Sequence, residues 1–245
     1  MRQELGINLL VYKEQLEKGM PQSSLLRTIK EQGISLAEVR REYILDEAER
    51  IAISKAAENL HMDLYYSVPE KIMENDSPNE QLGIYLEEAK CMNVKNVKFN
   101  IGSLYKATKE GVEKLKEIIE LYDMTITIEN DQTEENGTFQ CTKEAIDTIQ
   151  KFKLPIGYTM DLGNWYWQKE DPEQAFEELS DQISIFHLKN IAFLNEKPET
   201  VMLENGIIPW KSMIGKLDDS VKVFLEYPIS MKEVTKQIEV VKEAE

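Results

Sequence analysis

Cysteine is nearly absent from this sequence. The two present, Cys91 and Cys141, form neither a CxxC pair nor a disulfide framework, which argues against copper(I) or iron–sulfur chemistry and fits a reducing cytosol. Long apolar runs are missing as well. No stretch approaches the roughly 18 residues of a membrane span, and the segment from Leu5 to Val11 is too short and interrupted for the core of a secretion signal. Positive charge is in deficit: 29 Lys and Arg against 45 Asp and Glu leave a net charge of −16. That balance disfavours a nucleic-acid backbone and an anionic membrane surface as partners. No glycine-rich strand–helix fingerprint or P-loop occurs, so a nucleotide cofactor is not indicated. No Gly/Ser linker, low-complexity tract or composition shift divides the chain, and residues 1–245 are expected to form one acidic, cytoplasmic domain.

What remains is a chain with 42% hydrophobic residues, enough for a sizeable core. Strand-like runs occur at 6–12, 33–39, 63–68, 96–101, 125–129, 156–161, 183–188 and 221–227. Amphipathic stretches lie between them, such as 45–59 and 111–121; in the latter Val112, Leu115, Ile118 and Ile119 recur at helical spacing. Ser77 before Pro78, and Asp171 before Pro172, read as helix caps followed by proline in the first turn. Eight strands alternating with helices about every 31 residues predict an α/β fold, a single-domain (β/α)₈ TIM barrel, with an open doubly wound sheet as the alternative.

Four of these strand runs carry an ionisable residue at or next to their last position: Glu129, Asp161, His187 and Glu226. Buried parallel strands favour apolar side chains on both faces, and a lone buried charge there is costly. In a barrel, the C-terminal ends of successive strands share one rim. Three carboxylates and one imidazole then form a mostly hard donor set for one divalent metal ion, with Mn²⁺ first and Mg²⁺, Co²⁺ or Zn²⁺ as alternatives. Nearby, Lys189 falls on the side of His187 if the strand continues. Arg40, ending the second strand, has a planar fork suited to a carboxylate or a hydroxyl pair. Trp165, in the run Trp165, Tyr166 and Trp167, offers an aromatic face of the kind that covers sugar rings. His61 precedes the third strand, toward the opposite face, and is assigned no chemistry.

Several short runs together resemble the xylose-isomerase-like TIM-barrel superfamily. They are Ile126 to Asn130, Met160 to Gly163, Phe186 to Lys189, Leu225 with Glu226, Glu38 to Arg40, and Asn205 to Trp210. The resemblance covers nearly the whole chain in strand order and is strongest over 125–227. It implies that Glu129, Asp161, His187 and Glu226 bind the metal, and that Glu129 and Glu226 also transfer protons to and from substrate. The implied activity is isomerisation or epimerisation of a small sugar, sugar phosphate or related polyhydroxy carbonyl compound through a metal-stabilised enediolate. Alternatives are a metal-dependent dehydratase of inosose or dehydroshikimate type and a non-catalytic sugar-binding barrel. Asn164 stands where ketose epimerases of the group often carry a substrate-contacting histidine, and Asn190 where many relatives carry aspartate. With two histidines in the chain, the three-zinc site of the related apurinic endonucleases cannot be assembled. Relatives often form dimers or tetramers, so a homo-oligomer is expected.

Overall fold

The computed structural model describes residues 2–244. Eight parallel strands close into a barrel: β1 (Glu4–Asn8), β2 (Leu36–Arg40), β3 (Asp63–Lys71), β4 (Asn96–Asn100), β5 (Thr125–Glu129), β6 (Ile156–Asp161), β7 (Ile183–Leu188) and β8 (Lys222–Leu225). Each strand pairs with its sequence neighbours, and β1 joins β8 to complete the ring, so the (β/α)₈ expectation holds and the open sheet does not. One principal helix follows each strand: α1 (Gln22–Glu31), α2 (Glu47–Leu60), α3 (Leu82–Met92), α4 (Lys109–Ile119), α5 (Phe139–Phe152), α6 (Pro172–Leu179), α7 (Trp210–Lys216) and α8 (Val234–Lys242).

Local chemistry fixes the helix ends. Asp46 accepts from the Glu49 amide at the start of α2, and Thr108 from Gly111 at the start of α4. Asp171 accepts from the amides of Glu173 and Gln174, with Pro172 in the first turn, as its sequence predicts. Ser77 is different. Ser77–Pro78 pairs antiparallel with Met73–Glu74, and α3 begins only at Leu82. Asn79 ends the excursion: its amide donates to Ile72 O, and its side chain accepts from the Gln81 amide. The cap-like dipeptide is therefore used as the second strand of a two-stranded ribbon, directly after its turn. A second hairpin, Asn190–Leu194 with Lys197–Val201, stands between β7 and α7. Among the described residues no helix is long and apolar enough to cross a membrane.

The strand period of two divides each strand between two environments. Outward side chains such as Ile7, Val39, Val97, Phe99, Ile128 and Met160 join the helices in one continuous hydrophobic core. Inside the barrel lies a separate small cluster of Leu36, Ile185 and Phe224, against which Tyr65 packs. Gly6 makes room for it, since a Cβ there would stand 2.5 Å from the Phe224 ring. Toward the C-terminal ends the interior turns polar through Asn96, Thr127 and Thr159, linked by hydrogen bonds from Asn96 Nδ2 and from Thr159 Oγ1 to Thr127 Oγ1. Above that layer the side chains are charged.

Candidate metal centre

The charged layer is built from the last inward positions of several strands. Glu129 ends β5 and Asp161 ends β6; Asp161 lies in register with His187 on β7, and Glu226 follows the last residue of β8. All four are buried, and each offers a ligand atom such that these atoms lie within 4.8 Å of one another. Three carboxylate oxygens and one imidazole nitrogen at that spacing fit a divalent ion of the oxygen-preferring kind.

Two more residues complete the floor. Asn8 and Glu38 are register partners on β1 and β2. Asn8 Nδ2 donates to Glu38 Oε2 and to Glu226 Oε1, the latter at 3.1 Å. Glu38 Oε2 lies 3.0 Å from His187 Nε2, while His187 Nδ1 faces Glu129 Oε1 at 2.7 Å and Glu226 Oε2 at 3.1 Å. The ring therefore presents Nδ1 to the two glutamates of the quartet and Nε2 to a carboxylate outside it.

Cations surround the same carboxylates. Lys98 Nζ lies 2.5 Å from Glu129 Oε2 and 3.7 Å from Glu226 Oε1. Lys189 Nζ lies 2.7 Å from Asp161 Oδ2 and 3.6 Å from Glu226 Oε2. Arg40 donates from Nη1 to Glu226 Oε1 at 2.9 Å and from Nε to Glu42 at 2.7 Å.

Burial opposes every charge in this cluster, and the neighbours decide each outcome. For Glu226, burial acts upward, but His187, Lys98 and Lys189 prevail and hold the carboxyl well below its ordinary range. Glu129 is also lowered: burial and Glu226 act upward, Lys98 and His187 downward, and the cations win. Asp161 goes the other way, because burial together with Glu226 and Glu129 outweighs Lys189 and lifts it well above the usual value. His187 would be lowered by burial, yet Glu226, Glu38 and Glu129 raise it well above an ordinary imidazole. Lys98 follows the same logic, with burial overcome by Glu129, Glu226 and Glu38.

A cavity of about 300 Å³ opens over this layer, and Arg40, Lys98, Glu129, Asn164, Lys189 and Glu226 are among its lining residues. The structure thus brings Arg40, Lys189 and Asn164 to the quartet. Asn164 Oδ1 accepts from Lys189 Nζ at 3.2 Å and from Gln132 Nε2 at 3.1 Å, and its Nδ2 donates to Asn130 O. Trp165 is not brought there. It is fully buried, packs against Phe139 with ring centroids 6.4 Å apart, and lines no part of the cavity. The 3₁₀ turn Asn164–Gln168 presents Asn164 to the site and turns the next side chain into the core. Sequence reasoning assigned no role to Lys98 or Asn8. A signal for Lys98 existed: on β4 the polar Asn96, Lys98 and Asn100 alternate with Val97 and Phe99, so one face of that strand is polar.

The family description "xylose isomerase-like TIM barrel" matches residues 83–244. No curated protein matches the chain. Among solved structures, the chain is similar to the probable 3-DHS dehydratase AsbF of Bacillus anthracis, with a TM-score of 0.72 and 13% identity over 98% of this chain and 99% of that one. The IOLI protein, solved with a zinc atom bound, gives a TM-score of 0.72 at 15% identity, covering 98% of this chain and 96% of the other. An L-ribulose 3-epimerase gives 0.62 at 16% identity, covering 97% and 86%. At these identities the likeness is one of fold.

Proposed function

The chain belongs to the xylose isomerase-like TIM-barrel family, and from that footing we propose that it is a divalent-metal-dependent isomerase or epimerase of a small sugar, sugar phosphate or related polyhydroxy carbonyl compound. The observation that carries this reading is the convergence of Glu129, Asp161, His187 and Glu226 at the barrel mouth, with ligand atoms within 4.8 Å of one another. These four residues would hold the ion, Mn²⁺ being the first candidate. When bound, the ion supplies Lewis acidity, stabilising negative charge that gathers on a substrate carbonyl oxygen.

The side chains supply the rest. Glu129 and Glu226 come from β5 and the end of β8, separated around the ring by β6 and β7. A substrate seated between them meets a carboxylate on either side. One takes the proton next to the carbonyl and the other returns one to the opposite face of the same carbon, which gives epimerisation; return to the former carbonyl carbon, with the hydroxyl proton passing to the former carbonyl oxygen, gives isomerisation. Lys189 and Arg40 line the cavity and can orient the hydroxyl or carbonyl oxygens. Asn164 is tied to Asn130 and Lys189 and offers an amide to the same cavity. The excess of acidic residues and the two unpaired cysteines support a cytoplasmic setting.

Metal content of protein purified without chelator tests this reading, comparing wild type with a Glu129→Gln/His187→Ala variant. About one ion per chain, lost in the variant, is the expected result, followed by solvent deuterium incorporation into a sugar panel. A chain that takes up no Mn²⁺, Co²⁺, Zn²⁺ or Mg²⁺ overturns it. Appearance of an ultraviolet-absorbing conjugated carbonyl product would assign the same residues to a dehydration instead.

A further inference from the structure

Lys98 is 3% exposed in the side chain and projects into the barrel from the middle of β4. Its ion-pair partners among the described residues are Glu129 and Glu226. Both belong to the quartet that would hold a metal ion, and Lys189 depends in the same way on Asp161 and Glu226. With an ion in place, these carboxylates share their charge between the ion and the lysines. A buried ammonium left with only part of its counter-charge is costly, and a bound anion removes that cost.

The local arrangement of charge points the same way. Four carboxylates, Glu38, Glu129, Asp161 and Glu226, face three permanent cations, Arg40, Lys98 and Lys189. Arg40 has Glu42 as a further partner, so the loss of counter-charge to a bound ion falls on Lys98 and Lys189, whose carboxylates the ion would share. Two further acids stand near the mouth, and neither pairs with Lys98 or Lys189. Glu42 accepts from Arg40 Nε, and Asp131 accepts from Thr133 and from Asn136. The remaining polar wall, Asn100, Gln132, Thr133 and Asn164, suits hydroxyl groups.

We propose that this cavity takes a small polyhydroxy carboxylate and that Lys98 selects for its charge. The inference rests on the metal-centre reading above. A carboxylate is favoured over a phosphate by the surrounding loops. TIM barrels often bind phosphate with the loops after β7 and β8 and an extra helix N-terminus. Here β7 runs into the hairpin Asn190–Leu194 with Lys197–Val201, and residues 226–233 after β8 contain no glycine.

The test is calorimetric titration of Mn²⁺-loaded protein with three probes of one carbon skeleton: D-gluconate, D-glucitol and D-glucitol 6-phosphate. Gluconate is expected to bind at least tenfold more tightly than glucitol and more tightly than the phosphate. In Lys98→Met, with metal content unchanged, the tenfold preference should collapse to less than threefold; in Lys98→Arg it should survive. Equal binding of gluconate and glucitol by wild type, a preference for the phosphate, or a gluconate preference retained in Lys98→Met each overturns the proposal. Should Lys98→Met lose its cooperative melt, the ¹⁵Nζ resonance of Lys98 in wild type loaded with diamagnetic Mg²⁺ decides: it shifts with gluconate and not with glucitol, or the proposal fails. Metal content of the same samples separates the two readings. A full complement of ion without charge preference removes the anion site and keeps the metal centre. A Lys98-dependent gluconate preference without metal uptake does the reverse.

Discussion

His187 Nε2 lies 3.0 Å from Glu38 Oε2, so the imidazole at the centre of the barrel mouth is held between a carboxylate on β2 and the glutamates that end β5 and β8. An imidazole that ligates a metal through one nitrogen commonly presents the other to a carboxylate, which fixes the tautomer and makes the ligating nitrogen more basic. Glu38 is fully buried; its Oε1 and His187 Nε2 both have no hydrogen-bond partner, so Asn8 Nδ2 supplies the hydrogen bond to Glu38 Oε2 and His187 approaches it at ion-pair distance. Glu38→Gln is expected to weaken Mn²⁺ binding by about ten- to a hundredfold while leaving the fold intact. Titration of chelator-stripped protein measures it; an unchanged Kd would remove Glu38 from any role in holding the ring.

Glu129→Gln acts on the chemistry directly. Loss of a positioned proton-transfer carboxylate is expected to lower kcat by about 10²–10⁴. The variant also deprives Lys98 of its nearest partner at 2.5 Å, so it should unfold with ~1–3 kcal/mol less stability. Turnover within a factor of a few of wild type would show that Glu129 moves no proton.

The fold was legible because fully buried parallel strands leave a plain trace, short β-branched runs between polar turns. The quartet was legible for the related reason that an ionisable residue ending such a run has few structural excuses. Lys98 was not, because a lysine between Val97 and Phe99 reads as one polar step of a half-buried strand. Its meaning appears only when ring closure sets Glu129, 31 residues later, against its ammonium. Trp165 misled in the opposite sense. A run of three aromatics after a strand suggests a platform, but a 3₁₀ turn rotates consecutive side chains by about a third of a circle. Asn164 faces the cavity, Trp165 faces Phe139, and Tyr166 meets Phe193 of the hairpin edge-on at 5.4 Å. Ser77 with Pro78 reads as a helix cap, but the pair forms the return strand of a short ribbon, and the helix starts only at Leu82.

The two cysteines should separate cleanly in reactivity. Cys91 is exposed on α3, whereas Cys141 is buried on α5 with its Sγ 2.9 Å from Glu135 O. Burial, reinforced by Glu144, Asp131 and Glu135, pushes the Cys141 thiol up to about 12. Only about one Cys141 in ten thousand is then a thiolate at pH 8, and the thiolate is the reactive form. Iodoacetamide at pH 8 is expected to label Cys91 and spare Cys141 in native protein, and to label both in denaturant. Comparable native labelling in a peptide map would contradict this assignment.

Acid stability should carry a contribution from Glu204. Hydrogen bonds from Lys236 and Gln237 lower its carboxyl from 4.5 to about 2, and they tie the turn before α7 to α8. A carboxyl depressed in the folded state stabilises above its unfolded value, and that contribution is lost as pH falls from about 4.5 toward 2. The pair is substantially solvated, so at most ~1 kcal/mol is expected. Glu204→Gln should therefore melt below wild type at pH 7, with the difference vanishing by about pH 2. A difference that is constant across this range would mean that the charge of Glu204 contributes nothing.

Gly163 probes the link between fold and site. It follows β6 two residues after Asp161, and a Cβ there would stand 2.3 Å from Lys189 Cγ and 2.7 Å from its Cδ. Lys189 is buried, so its stem cannot simply swing into solvent. Gly163→Ala must displace the lysine and draw its ammonium away from Asp161 Oδ2 and Asn164 Oδ1. Overpacking of this kind costs ~1–3 kcal/mol of stability. The functional effect should fall on substrate binding: KM rises at least fivefold, while Mn²⁺ affinity changes by less than threefold, because the four ligand side chains keep their strands. The opposite pattern, metal lost with KM preserved, would mean that Lys189 supports the quartet and does not contact the substrate.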